Sequence, residues 1–162
     1  MPRRVDLPGA AELFRATSQR SQPEPEPVAP TPPVAASTVV SGTVAAGVAA
    51  RASVSVYSAA TFQDPATSAA IAVATTSATG FYEATLPAGF AGPLLIRVTG
   101  LADGSSTLQD EVFGLTPITS AFEMLSVVPA GHVGPPGGRV TAHVTAYTHA
   151  MAVHVRARLG RP

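Results

Sequence analysis

Residues 75–90 read TTSATGFYEATLPAGF. The stretch decides the fold, because it is a turn followed by strict alternation. Thr79-Gly80 predicts a hairpin turn in which Gly supplies the positive φ. From there Phe81, Glu83 and Thr85 share one face, and Tyr82, Ala84 and Leu86 the other. That is the period of a strand. One of the two adjacent rings enters a core while the other covers an edge or the opposite face. The ring directly after the Gly, Phe81, is expected to be the buried one.

The same texture extends on both sides. In RASVSVYSAA, Ala52, Val54 and Val56 alternate with Ser53, Ser55 and Tyr57. SAAIAVATT offers Ile71 and Val73 on one face, and PLLIRVTG places Leu94, Ile96 and Val98 together with Arg97 and Thr99 opposite. STLQDEVFG and AFEMLSVVP are further strand candidates, and GGRVTAHVTAY puts Val140 and Ala142 on one face. Gly42, Gly47, Gly80, Gly89, Gly92, Gly100, Gly104 and Gly114 punctuate these runs. Short strands with turn signals at such spacing predict an all-β, antiparallel sandwich of about seven strands.

The period changes near the end. Val144, Tyr147, Met151, Val155 and Leu159 recur every three or four residues, which predicts a C-terminal helix over about 145–159 with these residues as its apolar stripe. Thr145 suits its N-cap, Arg156 and Arg158 its negative end, and Gly160 its stop.

Before the strands lie two other segments. Residues 1–20 suit a flexible segment with a possible short helix, since Pro8 fits a first helical position. Residues 21–36, SQPEPEPVAPTPPVAA, read as a Pro-rich linker that favours extended polyproline II. Residues 1–36 together are expected to form a disordered arm, and 37–162 the sandwich domain.

Composition narrows the function classes. Charged residues make up 12% of 162 residues, half the usual share of about 25%. Ten basic and ten acidic residues cancel, which leaves no basic patch for nucleic acid. Every basic residue is Arg, a habit of GC-rich, bacterial coding sequences. With no Cys there is no disulfide, thiolate metal site or thiol nucleophile. No apolar run reaches the ~20 residues of a membrane span. The start lacks the apolar core of a signal peptide.

VSGTVAAGVAARASVSVY and ATTSATGFYEATLPAGFAGPLLIRVTG resemble the carboxypeptidase regulatory-like domain of bacterial proteins. The matching pieces are Ser41-Gly42-Thr43-Val44, Val54-Ser55-Val56-Tyr57 and Thr76 to Tyr82, followed by Val128 to Gly131 and Val144 to Thr148. The resemblance implies a transthyretin-like, Ig-like sandwich, a non-catalytic role and an extracellular or periplasmic setting. The chain would then be a module of its own or an accessory domain of a larger exported protein.

The chemistry-bearing residues are sparse. His132, His143, His149 and His154 invite a metal reading, but His149 and His154 lie five apart, ~140° around a helix, and share no face. GHVGPPGG, residues 131–138, lacks the Lys-Ser/Thr ending of a phosphate loop, and its prolines remove backbone donors, so it reads as a flexible connection. Asp103, Asp110 and Glu111 are the densest acidic group. They are read as a turn, LADGSS, and a solvated strand edge, QDE, rather than a calcium site. Without a GxSxG elbow a Ser-His-Asp triad carries no weight. The expectation is a non-enzymatic structural, spacer or protein-interaction module with no catalytic, cofactor or metal residues. A small-ligand or carbohydrate-binding sandwich is the alternative, disfavoured by the absence of Trp and by only three Tyr.

Overall fold

Hydroxyl residues alternate with aliphatic ones in runs such as Ser53–Ser58, and that run forms a strand with Val54 and Val56 inward. The computed structural model describes residues 35–159. The helix expected in 1–20, most of the linker at 21–36, and Gly160 therefore lie outside the described residues. The elements are β1 (Val39–Ala45), β2 (Val48–Ala50), β3 (Ser53–Ser58), β4 (Ala72–Thr75), β5 (Phe81–Thr85), β6 (Leu94–Thr99), β7 (Thr107–Asp110), β8 (Gly114–Pro117), β9 (Glu123–Val128), α1 (Ala130–Val133), β10 (Arg139–Thr141), β11 (Val144–Thr145) and α2 (Ala146–Leu159). They build an all-β sandwich of two sheets with a C-terminal helix. There are eleven described strands where about seven are expected, because several runs are cut to two to four residues, by Gly or Pro in places and at Ala142-His143 between β10 and β11.

One sheet has four strands in the order β4-β3-β6-β9, all antiparallel. The other has seven and is organised around β1. β5 and β2 pair antiparallel with β1, and β7 and β8 continue outward from β2. β10 and β11 pair with β1 in parallel, Val39 beside Arg139 and Val44 beside Val144. The fold is antiparallel as expected apart from these two pairings. The chain leaves β9 in the four-stranded sheet, crosses through α1 and returns along β1 in its own direction.

Between the sheets lies the main core. Val40, Val44, Tyr82 and Leu86 meet Val54, Val56, Ile96 and Val98, all essentially inaccessible to solvent. Each such Val, Leu or Ile contributes roughly 1.5–3 kcal/mol by leaving water. The β3 and β6 alternations are observed as the sequence predicts. In β4 the faces are reversed. Ala72 and Ala74 lie opposite Val56 and Val54 and turn inward with them, whereas Val73 lies opposite Ser55 and is exposed; Ile71 is only partly buried.

The opening stretch is corrected in two respects. Gly80 does hold φ at +74°. However, its turn carries the chain from β4 in one sheet to β5 in the other, so it is a crossover and not a hairpin. Ser77 Oγ accepts from the amides of Thr79 and Phe81 and supports the bend. Secondly, Tyr82 is the buried ring at 1% exposure, and Phe81 lies outside at 43%. The reason is a polar group in the core. The β10–β11 run is interrupted at Ala142-His143, and Ala142 O lies where a Gly42 Cβ would project, 1.9 Å away. Tyr82 stands opposite Gly42, and its hydroxyl donates to that carbonyl. A buried carbonyl must be paired, and Phe cannot pair it. Burial pushes the Tyr82 phenol well above its ordinary range, so it stays a donor.

α2 starts as expected. Thr145 Oγ1 accepts from Thr148 N at 3.1 Å, and Thr148 Oγ1 accepts from Thr145 N at 2.8 Å, a reciprocal cap. The expected apolar stripe faces the protein only in part, though, with Val155 half-buried at the cavity under the helix. Val144 is buried in β11, while Tyr147 is 74% exposed and Met151 is exposed as well. The face against β9 carries Thr148, His149 and Ala152. β9 is an edge strand with free backbone groups, so the helix turns polar atoms to it. Leu125 N donates to His149 Nδ1 at 3.1 Å, and Thr148 Oγ1 donates to Leu125 O at 3.4 Å. Ala152 is small enough for close approach and completes a second cluster with Tyr57, Leu95 and Leu125.

Candidate functional site

The seven-stranded sheet ends in a hairpin that the sequence reading treats as a solvated strand. β7 and β8 are joined through Glu111, Val112 and Phe113, with Gly114 at φ +71° closing the loop. A three-residue loop followed by a left-handed Gly is a standard hairpin solution. Asp110 Oδ1 accepts from Val112 N at 2.7 Å and Phe113 N at 2.8 Å. Those amides, Phe113 first, hold the carboxyl below the usual carboxylate range. Asp110 therefore caps a turn.

With its backbone held this way, the loop points side chains outward. Val112 is 81% exposed and Phe113 82%. Leu115, 67% exposed, lies across from Gln109, which lies across from Val48. These three form a row on the outer face of the sheet, where Val48 is also exposed, as is Phe81 on β5. Among the described strands β8 pairs with β7 alone, so it is an open edge. Large exposed apolar side chains at an open strand edge invite pairing with another chain.

The outer face of the four-stranded sheet is different, because α2 lies over it. Where the helix meets the β3–β4 loop a cavity of about 450 Å³ opens, walled by Phe62, Leu95, Val127 and Val155, with Arg156 at its rim. Phe62 is held by Tyr57, ring centroids 4.9 Å apart and edge-on. The Arg156 guanidinium stands over the Phe62 ring at 5.5 Å. It also reaches Glu123 at 3.5 Å, the same carboxylate that Arg97 reaches at 3.5 Å.

The four histidines occupy four unrelated places. His132 is exposed in α1 and His154 exposed on α2. His143 Nδ1 lies 2.9 Å from Thr43 Oγ1 and accepts from Thr43 N, bracing the break opposite Gly42. His149 closes the β9 edge. Among the described residues no three His, Asp or Glu converge. Asp103 sits in the LADGSS turn with Gly104 at φ +72° and accepts from Ser105 N at 2.9 Å, which lowers its pKa. The GHVGPPGG segment holds α1, whose Val133 is buried in the core, so it is a seated element and not merely a connection.

The sequence reading missed Phe113, although DEVFG between two alternating runs is the signal of such a hairpin. It also missed the pairing of Phe62 with Arg156. Phe62 lies in TFQD, outside any periodic run, and no local signal marks it.

Comparison of the chain with family models, curated proteins and solved structures gives no match. Among the described residues no helix is long and apolar enough to cross a membrane.

Proposed function

We propose that the chain is a non-catalytic β-sandwich module that binds a protein partner along the β7–β8 hairpin and the β8 edge. The observation that carries this reading is the placement of Val112, Phe113 and Leu115 outside the fold on a backbone that Asp110 holds in shape. A partner strand can add to β8 through main-chain hydrogen bonds while its side chains meet Leu115. The resemblance of Ser41–Val44, Val54–Tyr57 and Thr76–Tyr82 to carboxypeptidase regulatory-like domains supports the same role, since those are bacterial binding and spacer modules.

A photo-crosslinking residue at position 113 tests this in cells of the source organism, with position 73 on the opposite sheet edge as control. One discrete protein adduct from position 113, absent from position 73 and lost in Leu115→Lys, is expected. No adduct at 113, or equal adducts from both positions, would overturn the proposal.

A further inference from the structure

The cavity beneath α2 belongs to the other sheet and plays no part in the hairpin reading. Its volume of about 450 Å³ falls in the range of small-molecule sites, roughly 300–1,000 Å³. Four of its walls, Phe62, Leu95, Val127 and Val155, are hydrocarbon. The main charged group at its mouth is Arg156.

Two features make that guanidinium available. It reaches Glu123 only at 3.5 Å, the long limit of a hydrogen bond. Moreover, Glu123 is shared. Arg97 contacts the same carboxylate, so if Arg156 turns to another anion, Glu123 keeps a cation. Two guanidiniums against one carboxylate leave one positive charge over in this group, and Arg97 Nε is buried without a hydrogen bond of its own. Arg156 is also pre-positioned, because it stacks on Phe62, which Tyr57 holds edge-on. A guanidinium fixed in this way forms its fork to a carboxylate at less entropic cost.

We infer that this cavity binds an apolar monocarboxylate, its hydrocarbon body against Leu95, Val127 and Val155 and its carboxylate on Arg156. A dianionic phosphate does not suit the site. The surplus is a single charge, and besides Arg156 the lining has one polar side chain, Gln63, where a phosphate needs several donors.

The test uses the full chain, with decanoate and decanol as probes below their micelle concentrations. Binding is read by calorimetry and by methyl NMR shifts at Leu95, Val127 and Val155. Decanoate is expected to bind saturably and shift these methyls, and to bind about tenfold or more tighter than decanol, the scale of one charge-assisted contact. Arg156→Gln should remove that preference, and Arg156→Lys should restore part of it. Val155→Trp should abolish binding of both probes with the circular dichroism unchanged. Phe113→Ser should leave binding intact. Absence of saturable shifts at these methyls would overturn the inference. So would equal affinity for decanol, or full decanoate affinity in Arg156→Gln.

Discussion

The two sheets of this sandwich treat their outer sides in opposite ways. On the four-stranded sheet, Tyr57, Leu95 and Leu125 point away from the core, and Ala152 of α2 and Phe62 of the β3–β4 loop pack over them. The helix also closes the β9 edge, with His149 taking the Leu125 amide and Thr148 donating to the Leu125 carbonyl. On the seven-stranded sheet, Val48, Phe81 and Leu115 point away from the core, and no described element lies over them. β8 is equally open, and the apolar loop beyond it is held in shape by a carboxylate. One outer face thus gains its stability within the chain, and the other keeps apolar surface for contact outside it. The pair separates apolar residues that hold the fold from those that do not, which composition alone cannot do.

The sharpest form of this contrast lies in two adjacent residues. Tyr82→Ala is expected to cost about 3–5 kcal/mol, since it empties core volume and strands the Ala142 carbonyl. Phe81→Ala, on the bare face, should cost about 1 kcal/mol or less. Equilibrium urea unfolding measures both; equal costs would erase the distinction between inside and outside at β5.

Next come the two leucines of the outer faces. Leu125→Ala, beneath α2, should cost about 2–5 kcal/mol, whereas Leu115→Ala should stay within about 0.5 kcal/mol of the parent. The same denaturation series reads both. A large loss at Leu115 would mean that the hairpin face is already covered within the chain.

His149→Ala tests the closed edge alone. It leaves the half-buried Leu125 amide without its acceptor, at a cost of about 1–3 kcal/mol. Amide exchange at Leu125 should accelerate with it, while exchange in β3 stays slow. Unchanged exchange at Leu125 would show that the helix shields the edge by packing and not by this bond.

The smallest effect is electrostatic and local. The Asp110 carboxyl has a folded-state pKa below the ordinary value of about 3.9. Its bonds to the hairpin loop are therefore fully present above that ordinary value and are lost as pH falls through the lower, folded-state pKa. Chemical shifts of the Val112 and Phe113 amide protons should move in that acid window in the parent and stay still in Asp110→Asn. Movement in both would assign the change to another group.

Much of this was legible in the sequence, and the parts that were not share a cause. Strand positions and the inward sides of β3 and β6 follow from alternation, which is a local property. The helix was legible for the same reason, as was its Thr145 cap. The orientation of α2 was not, because an apolar stripe predicts burial only where the surface it meets is apolar. Here the part of that surface under the first turns is a strand edge with backbone groups to satisfy, and it draws in Thr148 and His149 while Tyr147 and Met151 stay out. Tyr82 and Phe81 were exchanged for a related reason. The carbonyl that selects a phenol over a phenyl belongs to Ala142, sixty residues away. Even so, Glu83 and Thr85 on the side of Phe81 marked that face as the outer one. The cavity under α2 joins the TFQD loop to two strands and the helix, and no single stretch of sequence carries it.

β1 is clasped on one side by β10 and β11, residues that follow it by one hundred positions. During synthesis on the ribosome the first strand of the sandwich emerges long before the strands that flank it. That side of β1 stays open until residues 139–145 have left the exit tunnel. Closure across such a separation is slow, on the millisecond-to-second scale of folds dominated by distant pairings. The nascent chain therefore carries an unpaired, Val-rich edge until residues 139–145 are available to cover it. It is then, more than in the finished molecule, that a chaperone has something to hold.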